Sequence, residues 1–370
     1  MAWLSILILG SLPVSVGDAI LESIHTYDLQ HCEVKARVEK RGVAIRCGLR
    51  LKVVRPGPLR FLISSEVEGL EVRDGSGEPL PFELGAGPLD ALLERVAKGR
   101  SGLPTLLTVV VPSPTAGQPV ELDLAYRWVP SGAGIAYASS GVLQSHLSGF
   151  WLPTMGDEFF TAEVAVEGLD RYVATGAADG PVQVICVTGG EFETFEREVE
   201  GRRIELWAPP GLELDPEAIL DDFAAVLALQ ESWFGKLSQK RLTLIVEPRT
   251  RPSPSFCAQS YIVVHRSTLP SARGRLRWLT LLAHECSHLW FGHRLATPVI
   301  GKGGTWLREG LAQWAGIEIA GALTDEDSRR RLWRANFRAY LGSADLRRAK
   351  DGAVFANEVT LMDSTYLDPA

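Results

Sequence analysis

The spacing of apolar residues changes once along this chain, at Pro209-Pro210, and that switch constrains the fold more than any other feature. Upstream, from about residue 20, segments such as GVAIRCGLRLKVV, LRFLISSEV, VELDLAYRWV and FTAEVAVEG alternate or run apolar, with Gly, Pro, Asp and Ser between them. A period of two punctuated by turn residues marks short strands, so this half reads as an antiparallel sandwich or open sheet. One short helix is predicted near 89–96. Downstream, Asp215-Pro216-Glu217 is a helix start: Asp caps, Pro fits the first turn and Glu suits its positive end. Ile219, Leu220, Phe223, Val226, Leu227, Leu229 and Trp233 then recur at helical spacing. Strands follow over 242–247 and 261–265, then helices over about 275–293, 305–320 and 325–341. The sequence therefore predicts the α+β class, with an N-terminal antiparallel β domain (18–210) and a mainly helical domain (211–370). The length agrees, since 370 residues exceed the ~250–300 at which a single core stops growing.

Composition excludes several classes. Apolar residues are 46% and charged residues 22%, enough to bury a large core and exclude global disorder. Lys and Arg number 38 against 45 Asp and Glu, a net charge of −7 with no long basic run, so a nucleic-acid partner is not expected. The five cysteines include no C-x-x-C pair, which excludes a thiolate zinc or dithiol redox site. Cys32 and Cys47 fall on one predicted hairpin with its turn near 39–42. A disulfide between them requires a register that sets them opposite each other; burial as free thiols is the expected state.

Residues 2–16 (AWLSILILGSLPVSV) are apolar but shorter than the ~20 residues of a membrane span, and Pro13 interrupts them. They read as a cleaved export signal over 1–17, with Ser15 and Gly17 as small residues before the cut, although the start lacks Lys or Arg. The alternatives are an ordinary buried first strand or a truncated start. An export signal places the mature chain outside the cytoplasm or secreted, with no transmembrane span; without it the chain is cytoplasmic.

The chemistry concentrates in His284-Glu285-Cys286-Ser287-His288, an H-E-x-x-H pattern within apolar, helix-compatible sequence (Leu279, Leu281, Leu282, Leu289, Trp290, Phe291). On a helix, positions i and i+4 share a face, so two imidazoles can aim at one ion with Glu285 beside them. The structural alternative, a buried helix with two hydrogen-bonded histidines, leaves a buried Glu285 unexplained. Cys286, at i+2 from His284, faces away and reads as packing. A catalytic zinc needs a third ligand and one open position. A metzincin would need Gly at 291 and His at 294, but Phe291 and Arg294 stand there. Glu309, in Thr305-Trp306-Leu307-Arg308-Glu309-Gly310, is the candidate third ligand, with a surface carboxylate as its structural alternative and His293 as a rival donor. Thr305 or a backbone carbonyl could orient the histidines.

The run His284-Glu285-x-x-His288-x-Trp290-Phe291-Gly292, followed by Trp306-Leu307-x-Glu309-Gly310, resembles the gluzincin family of membrane alanyl aminopeptidases and leukotriene A4 hydrolase. Here 20 residues separate His288 from Glu309, two more than is usual in that family. The resemblance implies a thermolysin-like catalytic domain, one Zn²⁺ per chain held by His284, His288 and Glu309, Glu285 as general base, and a peptide or protein substrate. Two departures accompany it. The family's amine-binding Glu aligns with Ala258, in Ser255-Phe256-Cys257-Ala258-Gln259, and a methyl group cannot pair with an ammonium ion. Gln259 stands beside it as the second substrate-binding position. The family's oxyanion-stabilising Tyr aligns with Tyr366, 57 residues past Glu309, or else lies beyond Ala370 in a chain truncated there. Rival readings are a non-catalytic peptidase-like binding module and a hydrolase of a non-peptide substrate.

Overall fold

The computed structural model describes residues 26–85, 104–130, 136–139, 141–145, 150–153, 159–176, 180–249, 254–270, 274–295 and 304–342. The predicted signal over 1–17, the helix near 89–96 and Tyr366 lie outside them. The class is α+β, with an N-terminal β region. The chain divides into two compact units, with the main boundary in sequence between Glu191 and Phe192.

Among the described residues the first unit has twelve strands, β1 (Tyr27–Val38), β2 (Val43–Val53), β3 (Leu59–Ser64), β4 (Val67–Asp74), β5 (Phe82–Leu84), β6 (Pro104–Val109), β7 (Pro119–Trp128), β8 (Tyr137–Ser139), β9 (Val142–Ser145), β10 (Thr161–Glu167), β11 (Arg171–Ala174) and β12 (Val187–Gly190). They form sheets ordered β10-β1-β2-β7-β4, β11-β12-β9-β8 and β3-β6-β5. In β2 the alternation is complete: Val43, Ile45, Cys47, Leu49, Leu51 and Val53 are buried, with more accessible residues between them. The turn from β1 to β2 closes where predicted, through a Glu39 N–H bond to the Gly42 carbonyl. Gly42 is required there, because φ is +87° and a Cβ would lie 2.5 Å from the Trp128 carbonyl oxygen. The register sets Cys32 opposite Leu49 and Cys47 opposite Val34. The thiols therefore meet on the diagonal, buried and free of a disulfide, with their sulfurs in a 3.5 Å hydrogen bond. Pairing is antiparallel except that β10 adds to β1 in parallel.

The second unit holds a five-stranded sheet ordered β13 (Glu193–Val199), β14 (Arg202–Ala208), β15 (Arg241–Val246), β17 (Tyr261–Val264) and β16 (Phe256–Cys257). Strands β14, β15 and β17 run parallel, with β13 and β16 antiparallel at the edges. The hairpin β13–β14 lies before Pro209 in sequence but belongs to this unit, since β14 pairs with β15. Helix α1 (Pro216–Phe234) starts at the predicted cap, where Asp215 accepts from the Ala218 N–H at 3.1 Å. Helices α2 (Arg275–Ser287), α3 (Gly304–Ala322) and α4 (Glu326–Gly342) follow. Phe223 and Val226 of α1, Trp278 and Leu282 of α2, and Ala315 and Ile319 of α3 bury against Leu206 and Leu244 of the sheet in one core. Among the described residues, no helix is long and apolar enough to cross a membrane.

Helix α2 ends at Ser287 rather than continuing to 293 as its apolar run predicts. Its last turn tightens: the N–H groups of His288, Leu289 and Trp290 bond three residues back, to Glu285, Cys286 and Ser287. The chain then reverses at Gly292, where φ is +137°.

Candidate metal centre

His284 lies in the last turn of α2 and His288 at its cap, still in right-handed helical conformation, so the i, i+4 relation survives the early end. Glu309, on α3, faces both. Its Oε2 is 3.4 Å from His284 Nε2 and 3.3 Å from His288 Nε2. One donor atom from each of the three lies within 4.8 Å of the others. The imidazole planes are 86° apart with ring centroids separated by 5.0 Å. All three residues, and Glu285, are buried.

The packing that sets this geometry is specific. Leu279, Leu282 and Cys286 bury in the core, so Cys286 is packing as its position predicts. Gln230 of α1 ties the motif down by donating to the Ala283 carbonyl (2.7 Å) and to Ser287 Oγ (2.6 Å). Helix α3 approaches α2 closely because position 316 is glycine; a Cβ there would lie 2.9 Å from the Thr280 carbonyl oxygen and 3.2 Å from His284 Cβ.

His288 Nδ1 donates to the Phe291 carbonyl at 3.1 Å, which leaves Nε2 as the lone-pair donor toward Glu309. The backbone thus takes the orienting role at His288, while the Thr305 side chain is outside the described set. Three buried atoms here have no hydrogen-bond partner: His288 Nε2, Glu309 Oε2 and Glu285 Oε2. A buried polar atom left unpaired costs about 1–3 kcal/mol. A cation bonded to the first two relieves that cost, and a two-imidazole, one-carboxylate set suits zinc. When the imidazoles are protonated, burial of the Glu309 carboxyl is outweighed by the His288 charge, by hydrogen bonds from both rings and by the Arg308 charge, which hold it well below the usual range. Burial pushes Glu285 up to about 7, opposed by His284 and reinforced by Glu309. The two buried carboxyls are thus shifted in opposite directions, and Glu285 sits near neutrality where it can exchange a proton.

No protein-family model and no curated protein matches the chain. Among solved structures it is similar to Legionella pneumophila aminopeptidase A, in a crystal structure with aspartic acid, with a TM-score of 0.63 and 14% identity. The match covers 80% of this chain and 38% of that one. That likeness supports a peptidase-like fold, and the buried His284, His288 and Glu309 group is compatible with a metal site.

Ala258 and Gln259 occupy the turn between β16 and β17. The Ala258 N–H bonds to the Tyr261 carbonyl at 2.8 Å, and the Gln259 carbonyl accepts from Gln239 Nε2 at 3.1 Å. The Ala258 methyl group is buried. His293, the rival third ligand, does not join the triad. Its Nε2 meets the Cys257 carbonyl at 3.3 Å and its N–H bonds to the His288 carbonyl, so it links the β16 edge to the end of α2. Burial pushes its pKa down to about 4, which keeps it neutral. The residues that sequence reasoning missed are Gln230, Gly292, Arg308 and Gly316. Gly292 stands in the run that carries the family resemblance and Gly316 lies seven residues from Glu309, on the same face of α3, but neither position discloses the contact it makes room for.

Proposed function

We propose that this chain is a zinc metallopeptidase of the gluzincin type, with a thermolysin-like second unit, that hydrolyses peptide bonds. The observation that carries the reading is the convergence of His284 Nε2, His288 Nε2 and Glu309 Oε2 on one buried point beside an unpaired, buried Glu285 carboxyl. Those three residues would hold the ion. Zinc held there would supply Lewis-acid polarisation of a scissile carbonyl and would acidify a water toward a pKa of ~7. Glu285 would be the general base, taking a proton from the attacking water at its carboxylate and passing it to the leaving amine. Tyr366, which lies outside the described residues, is the one candidate in this sequence that the family resemblance offers for the oxyanion. Ala258 offers no charge to a substrate ammonium, so the activity is aminopeptidase-like in family without a strong demand for a free N-terminus.

The test has two arms. Purified protein should hold about one zinc per chain, which His284→Ala and His288→Ala should largely abolish. Glu285→Gln should keep zinc and fold yet lose hydrolysis of an unbiased peptide library by orders of magnitude. Stoichiometric zinc in the double histidine variant overturns the site. A zinc-loaded wild type that cleaves nothing in the library favours the binding-module reading.

A further inference from the structure

We infer that Arg308 and Gly292 act as a positioning pair that makes Glu309 a single-oxygen ligand, an inference that rests on the zinc reading above. The two oxygens of a carboxylate are chemically equivalent until a neighbour distinguishes them. Here Arg308 Nε donates to Glu309 Oε1 at 3.1 Å, while Oε2 faces both imidazoles. Adjacent residues on a helix project about 100° apart, so a bond between them needs one side chain to fold back. Arg308 does so over Gly292. A Cβ at Gly292 would lie 2.9 Å from Arg308 Cδ and 3.3 Å from Cγ, and φ of +137° disfavours any other residue there. The Arg308 side chain is 16% exposed, so its guanidinium is held rather than free in solvent.

Gly292 lies in the reversal that also presents the Phe291 carbonyl to His288 Nδ1. One tight turn after α2 therefore orients two ligands, His288 through a carbonyl and Glu309 through Arg308. Holding Oε1 away from the metal point keeps the carboxylate monodentate and leaves a coordination position open, as a catalytic rather than structural zinc requires. Arginine suits the task because its planar, rigid fork fixes direction, whereas a lysine supplies the same charge without it.

Arg308→Lys, Arg308→Ala and Gly292→Ala separate position from charge. The readouts are zinc affinity by chelator competition, the visible spectrum of the cobalt-substituted protein, and the melting temperature of the metal-free protein. Arg308→Lys should weaken zinc about 10–100-fold although the charge is retained, with Arg308→Ala similar. The cobalt spectrum of both should shift as Glu309 becomes free to bind through both oxygens. The metal-free melting temperature of Arg308→Lys should stay within about 2 °C of wild type. Gly292→Ala, which displaces an intact arginine, should move affinity in the same direction; if it does not fold, Arg308→Lys decides. Wild-type affinity and spectrum in Arg308→Lys would show that charge alone matters and overturn the inference, as would unchanged binding in all three variants. A wild type without zinc overturns the metal reading and this inference with it. A zinc-loaded wild type with unchanged variants overturns only the pair.

Discussion

Replacing Gly316 by alanine tests the α2–α3 contact that holds the candidate site together. The added Cβ would sit 2.9 Å from the Thr280 carbonyl oxygen, 3.2 Å from His284 Cβ and 3.3 Å from His284 N. None of these atoms is the end of a flexible side chain, so the helices must part by about 0.5 Å to restore ordinary contact. Overpacking of this kind costs about 1–3 kcal/mol, while alanine in place of a helical glycine returns about 0.5–1 kcal/mol. The net loss is about 0–2.5 kcal/mol, or a fall of up to about 10 °C at roughly 2–4 °C per kcal/mol. The larger effect falls on the metal. Glu309 lies two turns from Gly316 on the same face of α3, and ligand distances tolerate only about 0.2 Å. Zinc affinity should therefore drop at least about tenfold, measured by chelator competition alongside thermal melts of the metal-free protein. A melting temperature that rises with zinc affinity unchanged would refute the reasoning, because only the propensity gain would then have been felt.

Two further predictions address other parts of the second unit. Glu231 is buried and accepts from Arg202 Nη2 (2.7 Å), the Leu237 N–H (2.9 Å) and Lys236 Nζ (3.0 Å). Burial raises its carboxyl, but these partners outweigh that and hold it below its ordinary 4.5, so its contribution is complete above that value and is lost as the pH falls below it. Glu231→Gln should cost about 1.5–3 kcal/mol near pH 7 and flatten the acid side of the stability profile in urea titrations; an acid limb as steep as wild type would contradict the assignment. At Ala258, acetylated and free forms of one cleaved peptide should differ in kcat/KM by less than about tenfold, and Ala258→Glu should raise the free-amine preference. A thousandfold preference in the wild type would place another carboxylate at the amine.

Much of the fold was legible because burial imposes a period. The alternation in GVAIRCGLRLKVV predicted β2, and Asp215-Pro216-Glu217 predicted the start of α1. Partners were less so. Nothing in FTAEVAVEG says that β10 runs parallel to β1, since parallel and antiparallel strands bury the same alternate residues. In β1 the inward set changes parity, from Tyr27 and Leu29 to Cys32, Val34 and Ala36, because the register shifts between Leu29 and His31. The sequence shows apolar residues on both parities there and gives no sign of which is the irregular one.

The site divides in the same way. His284, Glu285 and His288 were legible because their spacing follows from helix geometry alone, and Glu309 because a known family pattern places it. The early end of α2 was not legible: Leu289-Trp290-Phe291 continues an apolar run, and local propensity favours more helix. Tertiary contacts decide otherwise. Trp290 Nε1 donates to the Gly235 carbonyl at 2.9 Å, and the rings of Trp290 and Phe291 pack on Phe234 with centroids at 5.8 and 5.0 Å. Those contacts draw the chain off the helix axis and set up the reversal at Gly292, from which both the Phe291 carbonyl and the notch for Arg308 follow. Gly292 and Gly316 contribute by what they leave unfilled. A side chain that is missing for the sake of a neighbour distant in sequence leaves no periodic trace, so the candidate residues could be read from the chain while their mutual orientation had to be read from the structure.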